Sequence, residues 1–430
     1  MENEFGYIDY KPFSECYTDR QIMATITTDK DGIEFKVTGN NKYSIFDIEK
    51  NTPEIYAIDS KLRPITAYRT TLTNSRLTAI SSSTLRSDLY FYKQELLEKD
   101  KKIKHFTNQT KIYKIEYYND SIARVFGNNS FKENITYKKN EFKSVKITAN
   151  KSKEQKIGEI NINDNNIAVY LKYDFEYLHN YKKCEQITIT NNSYIILRFQ
   201  KGIVFDEAYK YILLLDSSLY LMTLLKRRHK KILISDFRNN KYYCRDMKID
   251  NPDNIIKDRN FLICNREKSI SSFIKIFNVL HSLEKESKNA LFPFLEFDIK
   301  QSSLEIKFLE YYKALEYLDF EKRKKLGKGK KKLFLKDILA SNKDLKDNFF
   351  DSQAVNEIEE EIRALRNYYS HEGYYIDRLP IPTDKPKRYK DIDADWLYNV
   401  LDFIKIASFL EIYKLSNINV SWKDLRYNIK

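Results

Sequence analysis

The sequence predicts an α+β chain of two domains: a β-rich antiparallel domain over residues 1–265, then an all-α helical bundle over 266–430. Two observations carry this. Up to about residue 200, apolar residues recur with period two in short runs broken by Asn, Asp, Lys and Gly, the pattern of antiparallel strands. Beyond residue 265 the period changes to 3.6 over stretches several helical turns long. A chain of 430 residues is also long enough for two separate cores.

In the first domain Ile33, Phe35 and Val37 alternate with Glu34 and Lys36. The same alternation returns over Ile112–Tyr117, Val145–Ile147, Ile160–Ile162, Ile167–Tyr173, Ile187–Ile189 and Tyr194–Phe199. The Thr/Ser-rich stretch 66–86 fits a long loop or an edge region. Asp206 to Arg228 reads as a helix, with Asp206 as N-cap and Lys226-Arg227-Arg228 at its C-terminal end. Ile232–Ile234 and Tyr242-Tyr243 return to strand. The first 260 residues therefore form one β-rich domain with a helix packed on it.

In the second domain, helices are expected over Ile270–Glu286, Ser303–Lys325, Leu333–Phe350 (whole or in part), Asp351–Glu372 and Asp391–Leu415. Four or five antiparallel helices of this length make a bundle. Pro380, Pro382 and Pro386 mark the loop before the last helix.

Composition narrows the classes. Charged residues make up 32% and hydrophobic ones 42%, which fits a soluble globular chain. The formal charge of +14 suits a polyanion such as nucleic acid, or an acidic membrane surface. Cys16, Cys184, Cys244 and Cys264 have neither CxxC spacing nor a nearby histidine, so a zinc site or disulfide framework is not expected and a reducing cytoplasm is. The acidic N-terminus lacks a signal-peptide core. The longest apolar run, Tyr211–Leu225, is interrupted by Asp216 and is too short to span a bilayer.

The chemistry-bearing stretch is Arg366-Asn367-Tyr368-Tyr369-Ser370-His371. Val355, Ile358, Ile362, Leu365 and Tyr369 form the apolar stripe of its helix, and Gly373 is the expected stop. Arg363, Asn367 and His371 follow at i, i+4 and i+8 on one face, with Arg366 beside it. Arg363 is as well placed to pair with Glu359 as to hold a substrate. Arg366 and His371, five positions apart, point about 140° away from each other on a regular helix. They share one substrate only if the last turn unwinds or a second copy faces the first. Glu359-Glu360-Glu361 reads as the acidic first half of this helix, favoured by its dipole.

The run Lys322–Lys332 holds eight basic residues in eleven. It lacks the Ser/Thr and the preceding strand of a phosphate-binding P-loop. It is either a solvated loop or a contact for RNA phosphates, in which case Lys324, Lys325, Lys328 and Lys330 are the candidates, with Arg363 beside the motif. Lys226–Lys231 and Lys385–Lys390 carry the same two readings. His105, His179, His229 and His281 are solitary and read as structural or surface residues.

A C-terminal bundle with Arg-Asn-x3-His at the end of its penultimate long helix resembles the HEPN superfamily of ribonucleases. Their motif is Arg-x4–6-His with a polar residue after the arginine, and Asn367 matches. Leu309–Leu318 (LEYYKALEYL) is similar to the second helix of those domains. A large β-rich domain ahead of such a bundle resembles the ApeA-like anti-phage, abortive-infection proteins. Only Arg366, Asn367 and His371 carry over residue by residue.

The resemblance implies an endoribonuclease toxin that needs no cofactor or metal. It acts as a homodimer through the bundle on an RNA such as tRNA, released when the N-terminal domain meets a phage-derived trigger. The residue types suit that chemistry. Histidine, with a pKa near ~6.5, serves as acid or base. Arginine, always charged, suits a phosphorane whose negative charge grows in the transition state. Asn367 is suited to orient the histidine or a phosphate oxygen. The alternative is a non-catalytic dimeric protein that binds a ligand or RNA, with Arg366 and His371 structural. A membrane-surface role lacks an amphipathic anchor.

Overall fold

The computed structural model describes residues 2–9, 22–29, 32–38, 54–60, 63–68, 71–76, 82–87, 89–92, 105–107, 109–127, 131–138, 141–149, 154–162, 165–179, 187–224, 230–246, 262–263, 266–297, 303–328, 334–371 and 394–429. A large antiparallel sheet occupies the N-terminal half and helices the C-terminal part. The chain divides into two compact units, Met1–Leu215 with Leu225–Asp258, and Asp216–Leu224 with Arg259–Lys430.

The first unit contains strands β1 (Glu2–Asp9), β2 (Ile22–Asp29), β3 (Gly32–Thr38), β4 (Glu54–Asp59), β5 (Pro64–Tyr68), β6 (Thr71–Arg76), β7 (Ser82–Ser87), β8 (Leu89–Tyr92) and β9 (Ile112–Asn119). Helix α1 (Asp120–Phe126) follows, then β10 (Phe131–Lys138), β11 (Glu141–Ala149), β12 (Glu154–Ile162), β13 (Asn165–His179) and β14 (Ile187–Ile203). Helix α2 (Phe205–Thr223) precedes β15 (Lys230–Asp236) and β16 (Lys241–Asp246). Fourteen of these strands form one sheet in the order β12-β13-β14-β9-β15-β16-β8-β5-β4-β1-β2-β3-β7-β6, and β10 pairs with β11 apart from it.

Alternation explains the strands. In β3, Ile33, Phe35 and Val37 are fully buried while Lys36 is exposed. They share a core with Ile8, Ala24, Ile26, Ile55, Ala57, Ile65, Ala67 and Tyr90. One residue separates β7 from β8, yet β7 pairs with β3 and β6 while β8 pairs with β5 and β16. The sheet must roll back on itself around that core to allow both pairings. The Thr/Ser-rich stretch is thus strand for most of its length, with β6 at the sheet edge. The two runs expected at Ile187–Ile189 and Tyr194–Phe199 are one continuous strand, β14.

Helix α1 is held at its start by Asn119, whose Oδ1 accepts from the Ser121 N–H at 2.8 Å. Helix α2 differs from the sequence expectation at both ends. The Glu207 and Ala208 N–H groups donate to the Val204 carbonyl, so Asp206 lies inside the first turn rather than at the cap. The helix ends at Thr223, where Leu224 takes φ +49. Lys226-Arg227-Arg228 and His229 lie outside the described residues.

The second unit holds α3 (Arg266–Ser282), α4 (Lys285–Phe297), α5 (Leu304–Lys325), α6 (Phe334–Ser341), α7 (Lys343–Phe350), α8 (Val355–His371), α9 (Ala394–Leu415) and α10 (Trp422–Ile429). The described residues therefore contain more helices than the four or five expected. The expected first helix stops at Ser282 and α4 follows it; Leu333–Phe350 breaks at Asn342; and α10 has no counterpart in the sequence reading. Ser303 caps α5 through its hydroxyl, which accepts from the Ile306 N–H at 3.4 Å. Pro380, Pro382, Pro386 and Lys385–Lys390 lie outside the described residues.

Helix α9 is buried on every side over Ile406–Tyr413, and Val400, Phe403, Ile404, Ala407, Phe409 and Ile412 are at 0% exposure. The last turns of α2 belong to this core. Tyr413 donates its hydroxyl to the Leu221 carbonyl at 2.8 Å, Tyr220 packs on Phe409, and the Ile263 N–H donates to the Met222 carbonyl at 3.1 Å. A chain begun at residue 266 leaves the buried Tyr413 hydroxyl without its acceptor, at a cost of about 1–3 kcal/mol, and uncovers the surface that Leu219, Leu221 and Met222 bury. Residues 266–430 alone should therefore lack a cooperative thermal transition by circular dichroism, while 216–430 should melt cooperatively. Equal melting of the two fragments would refute this dependence.

His105 lies buried in the first unit with its ring edge-on to Tyr56 at 5.3 Å. Burial, outweighing a hydrogen bond with the Ile65 backbone, lowers its pKa to about 4. The unfolded chain binds this proton below pH ~6.5 and the native chain does not. Stability is therefore fully present above that pH and declines as pH falls towards 4, by about 1.4 kcal/mol per pH unit for this one group. Urea midpoints measured across that window should show a shallower decline in His105→Phe than in the parent.

Candidate active site

Helix α8 carries the motif, and its sequence accounts for its start and its buried face. Glu357 in the first turn accepts from the Ala354 N–H at 3.4 Å, which satisfies one free donor at the helix start. Ile358, Ile362 and Leu365 are fully buried, whereas Val355 and Tyr369, at the ends of the predicted stripe, are half-buried. Of the acidic triplet only Glu360 is exposed. Glu359 is buried, and Glu361 is half-buried with its carboxyl pKa raised by burial against hydrogen bonds from Gln353 and Trp396.

Arg366 and Asn367 are both half-buried, and Arg366 Nη1 donates to Asn367 Oδ1 at 3.1 Å. The guanidinium thus orients the neighbouring carboxamide and keeps further donors for another acceptor. Arg363 lies 3.5 Å from Glu359 Oε1, the i,i+4 partner that its spacing allowed. Helix α8 stays α-helical through His371. At about 100° per residue, the Arg366 and His371 positions therefore lie about 140° apart around its axis. The last turn does not unwind to bring them together within one chain. Gly373, the expected stop, lies outside the described residues.

Helix α5 supplies the facing wall. Phe308 meets Tyr369 edge-on at 5.5 Å, and Tyr312 packs between Phe308 and Phe334 at 5.9 and 5.4 Å. Burial and then Glu316 push the Tyr312 phenol up to about 12, opposed by Arg366 and Arg363. Those charges therefore gather around one phenol. Tyr368 is also raised, by burial and then by Glu305. Sequence reasoning passed over Tyr312 and Glu316. The available signal was Phe308, Tyr312 and Glu316 at i, i+4 and i+8 on α5, one face of a helix already singled out.

No family model, curated protein or solved structure matches this chain.

The basic run stands elsewhere. Lys324 lies about 18 Å along α5 from Tyr312, at 1.5 Å per residue. Lys322–Lys325 form the last turn of α5, where cations complement the helix dipole. Each also has a local partner. Lys322 reaches the buried Glu411 at 3.1 Å, Arg323 pairs with Asp319 at 2.7 Å and also with Asp337, Lys324 pairs with Glu284, and Lys325 donates to the Leu415 carbonyl at 3.3 Å. Lys328, beyond Gly327 at φ +67, is exposed. Lys330 lies outside the described residues. The structure thus brings Arg363, Arg366 and Asn367 together and leaves Lys324, Lys325 and Lys328 apart from them.

Among the described residues, no group of three His, Cys, Asp or Glu is placed to hold a metal, and no helix is long and apolar enough to cross a membrane. The Cys244 thiol is buried. His281, in the last turn of α3, has its pKa lowered to about 4 by burial and by Lys288.

The two faces of α8 should respond differently to substitution. Leu365→Ala, which empties a fully buried site, should cost about 2–5 kcal/mol in chemical denaturation. Arg363→Lys, which keeps a cation opposite the buried Glu359 carboxylate, should cost less than about 1 kcal/mol. Equal costs would mean that the arginine face is structural.

Proposed function

We propose that this chain is a cytoplasmic endoribonuclease of anti-phage defence. In this reading it cleaves RNA, with tRNA among the candidate substrates, at a composite site built by two copies of an HEPN-type bundle. The observation that carries the reading is the α8 terminus. Arg366 and Asn367 are coupled there, yet Arg366 and the His371 position diverge around one axis. Two copies meeting through α8 supply two histidines and two arginines to a shared cleft, which one copy does not.

In the proposed reaction one His371 takes the proton of the RNA 2′-hydroxyl, and the 2′-oxygen attacks the adjacent phosphorus. The phosphorus–5′-oxygen bond breaks, and the partner's His371 protonates the leaving 5′-oxygen. Arg366 stabilises the negative charge of the phosphorane, while Asn367 orients a phosphate oxygen or the histidine. The products are a 2′,3′-cyclic phosphate and a 5′-hydroxyl. Tyr312 and Glu316 border the site from α5. The β-rich unit acts as the sensor of an infection signal, and engagement of that signal releases the nuclease.

The test is sequencing of RNA ends from cells expressing the parent, His371→Ala and Arg366→Ala. Both variants should abolish new cleavage ends while remaining folded, with thermal unfolding shifted by no more than about 1 kcal/mol equivalent. Cleavage by the parent should persist in excess EDTA and spare DNA, which lacks the 2′-hydroxyl. Products with 5′-phosphates, or toxicity unchanged in His371→Ala, would assign the chain instead to a non-catalytic dimer that binds a ligand or RNA.

A further inference from the structure

Strands β13, β14, β9 and β15 run side by side, and their registers align one cross-strand row. Lys172 lies opposite Tyr194, Tyr194 opposite Tyr118, and Tyr118 opposite Lys231. Directly opposed residues of antiparallel strands share a face. The other face of the same strands is core, with Ile167, Val169, Leu171, Ile195, Leu197, Ile115, Tyr117, Ile232 and Ile234 all buried. On the row itself the tyrosines and Lys172 are half-buried and Lys231 is exposed. The neighbouring row on this face, Tyr170, Ile196 and Glu116, is closed at its centre, with Ile196 and Glu116 buried, so the accessible rings are those at its margins.

The row is cation, aromatic, aromatic, cation. Lys172 Nζ lies 5.4 Å from the Tyr194 ring centroid, the two tyrosine centroids are 5.6 Å apart, and Lys231 Nζ lies 5.9 Å from Tyr118. On the same face the Arg198 guanidinium covers Tyr170 at 4.8 Å. The face also carries carboxylates. Asp174 is 3.4 Å from Lys172, Glu116 and Glu154 lie 2.6 and 3.6 Å from Lys114, and Glu154 also pairs with Arg198. Lys231 makes no ion pair among the described residues, and it ends the Lys226–Lys231 basic run. Its charge remains available to a polyanion at the end of an aromatic row.

We propose that this face of the β-rich unit binds single-stranded RNA. Bases would stack on Tyr118, Tyr194 and Tyr170, and phosphates would be met by Lys231 and, beside it, Lys172. Adjacent central strands that present aromatic rings between cations are the arrangement that stacks unpaired bases without reading their edges. A duplex, whose bases are already stacked within it, gains nothing from the rings. The proposal adds an RNA site in the first unit to the catalytic reading and does not depend on cleavage.

The test uses the full-length protein carrying His371→Ala, with fluorescence anisotropy of a labelled oligouridylate as the readout. Tyr118→Ala and Tyr194→Ala should each weaken binding by about five- to one-hundred-fold, the worth of one stacked base. Tyr118→Phe and Tyr194→Phe should bind as the parent does, because stacking needs the ring and not the hydroxyl. Lys231→Glu should weaken binding and flatten its dependence on salt. A double-stranded RNA of the same length should bind more weakly than the single strand. The proposal is overturned if the parent fails to bind oligouridylate, or if folded alanine variants bind it unchanged. Should the alanine variants fail to fold, Lys231→Glu decides, and an unchanged affinity there overturns it. RNA ends in cells report on the nuclease separately, so the two readings fail independently.

Discussion

The helical unit depends on the burial of one helix, α9. Its apolar residues alone do not specify its neighbours, because a helix that is hydrophobic all round can rotate or slide at little cost. Polar anchors remove that freedom. The Glu411 carboxylate, fully buried, is reached by Lys322 from α5 at 3.1 Å and by Lys414 at 2.8 Å. Among the described residues, the Tyr413 hydroxyl is satisfied by the carbonyl of Leu221 alone. A buried charge or hydroxyl without its partner costs more than the partnered group gains, so such contacts act mainly against wrong registers.

This constraint changes the meaning of the densest basic run in the chain. A cluster of lysines in the same unit as the motif helix suggests a phosphate track, and charge density alone supports that view. In the folded unit the first four cations of the run close the end of α5 and tie it to the α3–α4 junction, α6 and α9. Lysine and arginine in the last turn of a helix are favourable there irrespective of any ligand. Charge density and ligand binding are thus separable, and the charges beside Tyr312 matter more for the α8 terminus than the more numerous ones three turns away.

The β-rich unit separates the same two roles by strand face. Where β13, β14, β9 and β15 lie together, one face carries mostly Ile, Val and Leu into the core, and the other carries tyrosine beside lysine or arginine around a buried Ile196. Antiparallel pairing turns residues scattered from position 114 to 231 into neighbours about 5 Å apart. Aromatic residues read along the sequence as ordinary strand formers. Only pairing reveals that several of them line one row with cations at its ends.

How much was legible in advance follows from what is local. Alternation over Ile33–Val37 and Ile167–Tyr173, the Ser303 cap of α5, and the amphipathic stripe of α8 depend on residues a few positions apart, and each was readable from the sequence. So was the i,i+4 pairing of Arg363 with Glu359. The sheet order was not, because β8 pairs with β5 and β16 rather than with the adjacent β7. Nor was the place of Asp216–Leu224 in the helical unit, since the acceptor it offers Tyr413 is 192 positions away. The partners of the basic run lie 40 residues off for Lys324 and 89 for Lys322. By itself the sequence determined the two structural classes and their order, and it singled out Arg366, Asn367 and His371 as the residues of the proposed site. Tertiary structure decided which charges are neutralised, which aromatic rings share a face, and that Arg366 and the His371 position diverge on one unbroken helix. Those outcomes rest on partners brought together by burial, and burial is a property of the whole fold.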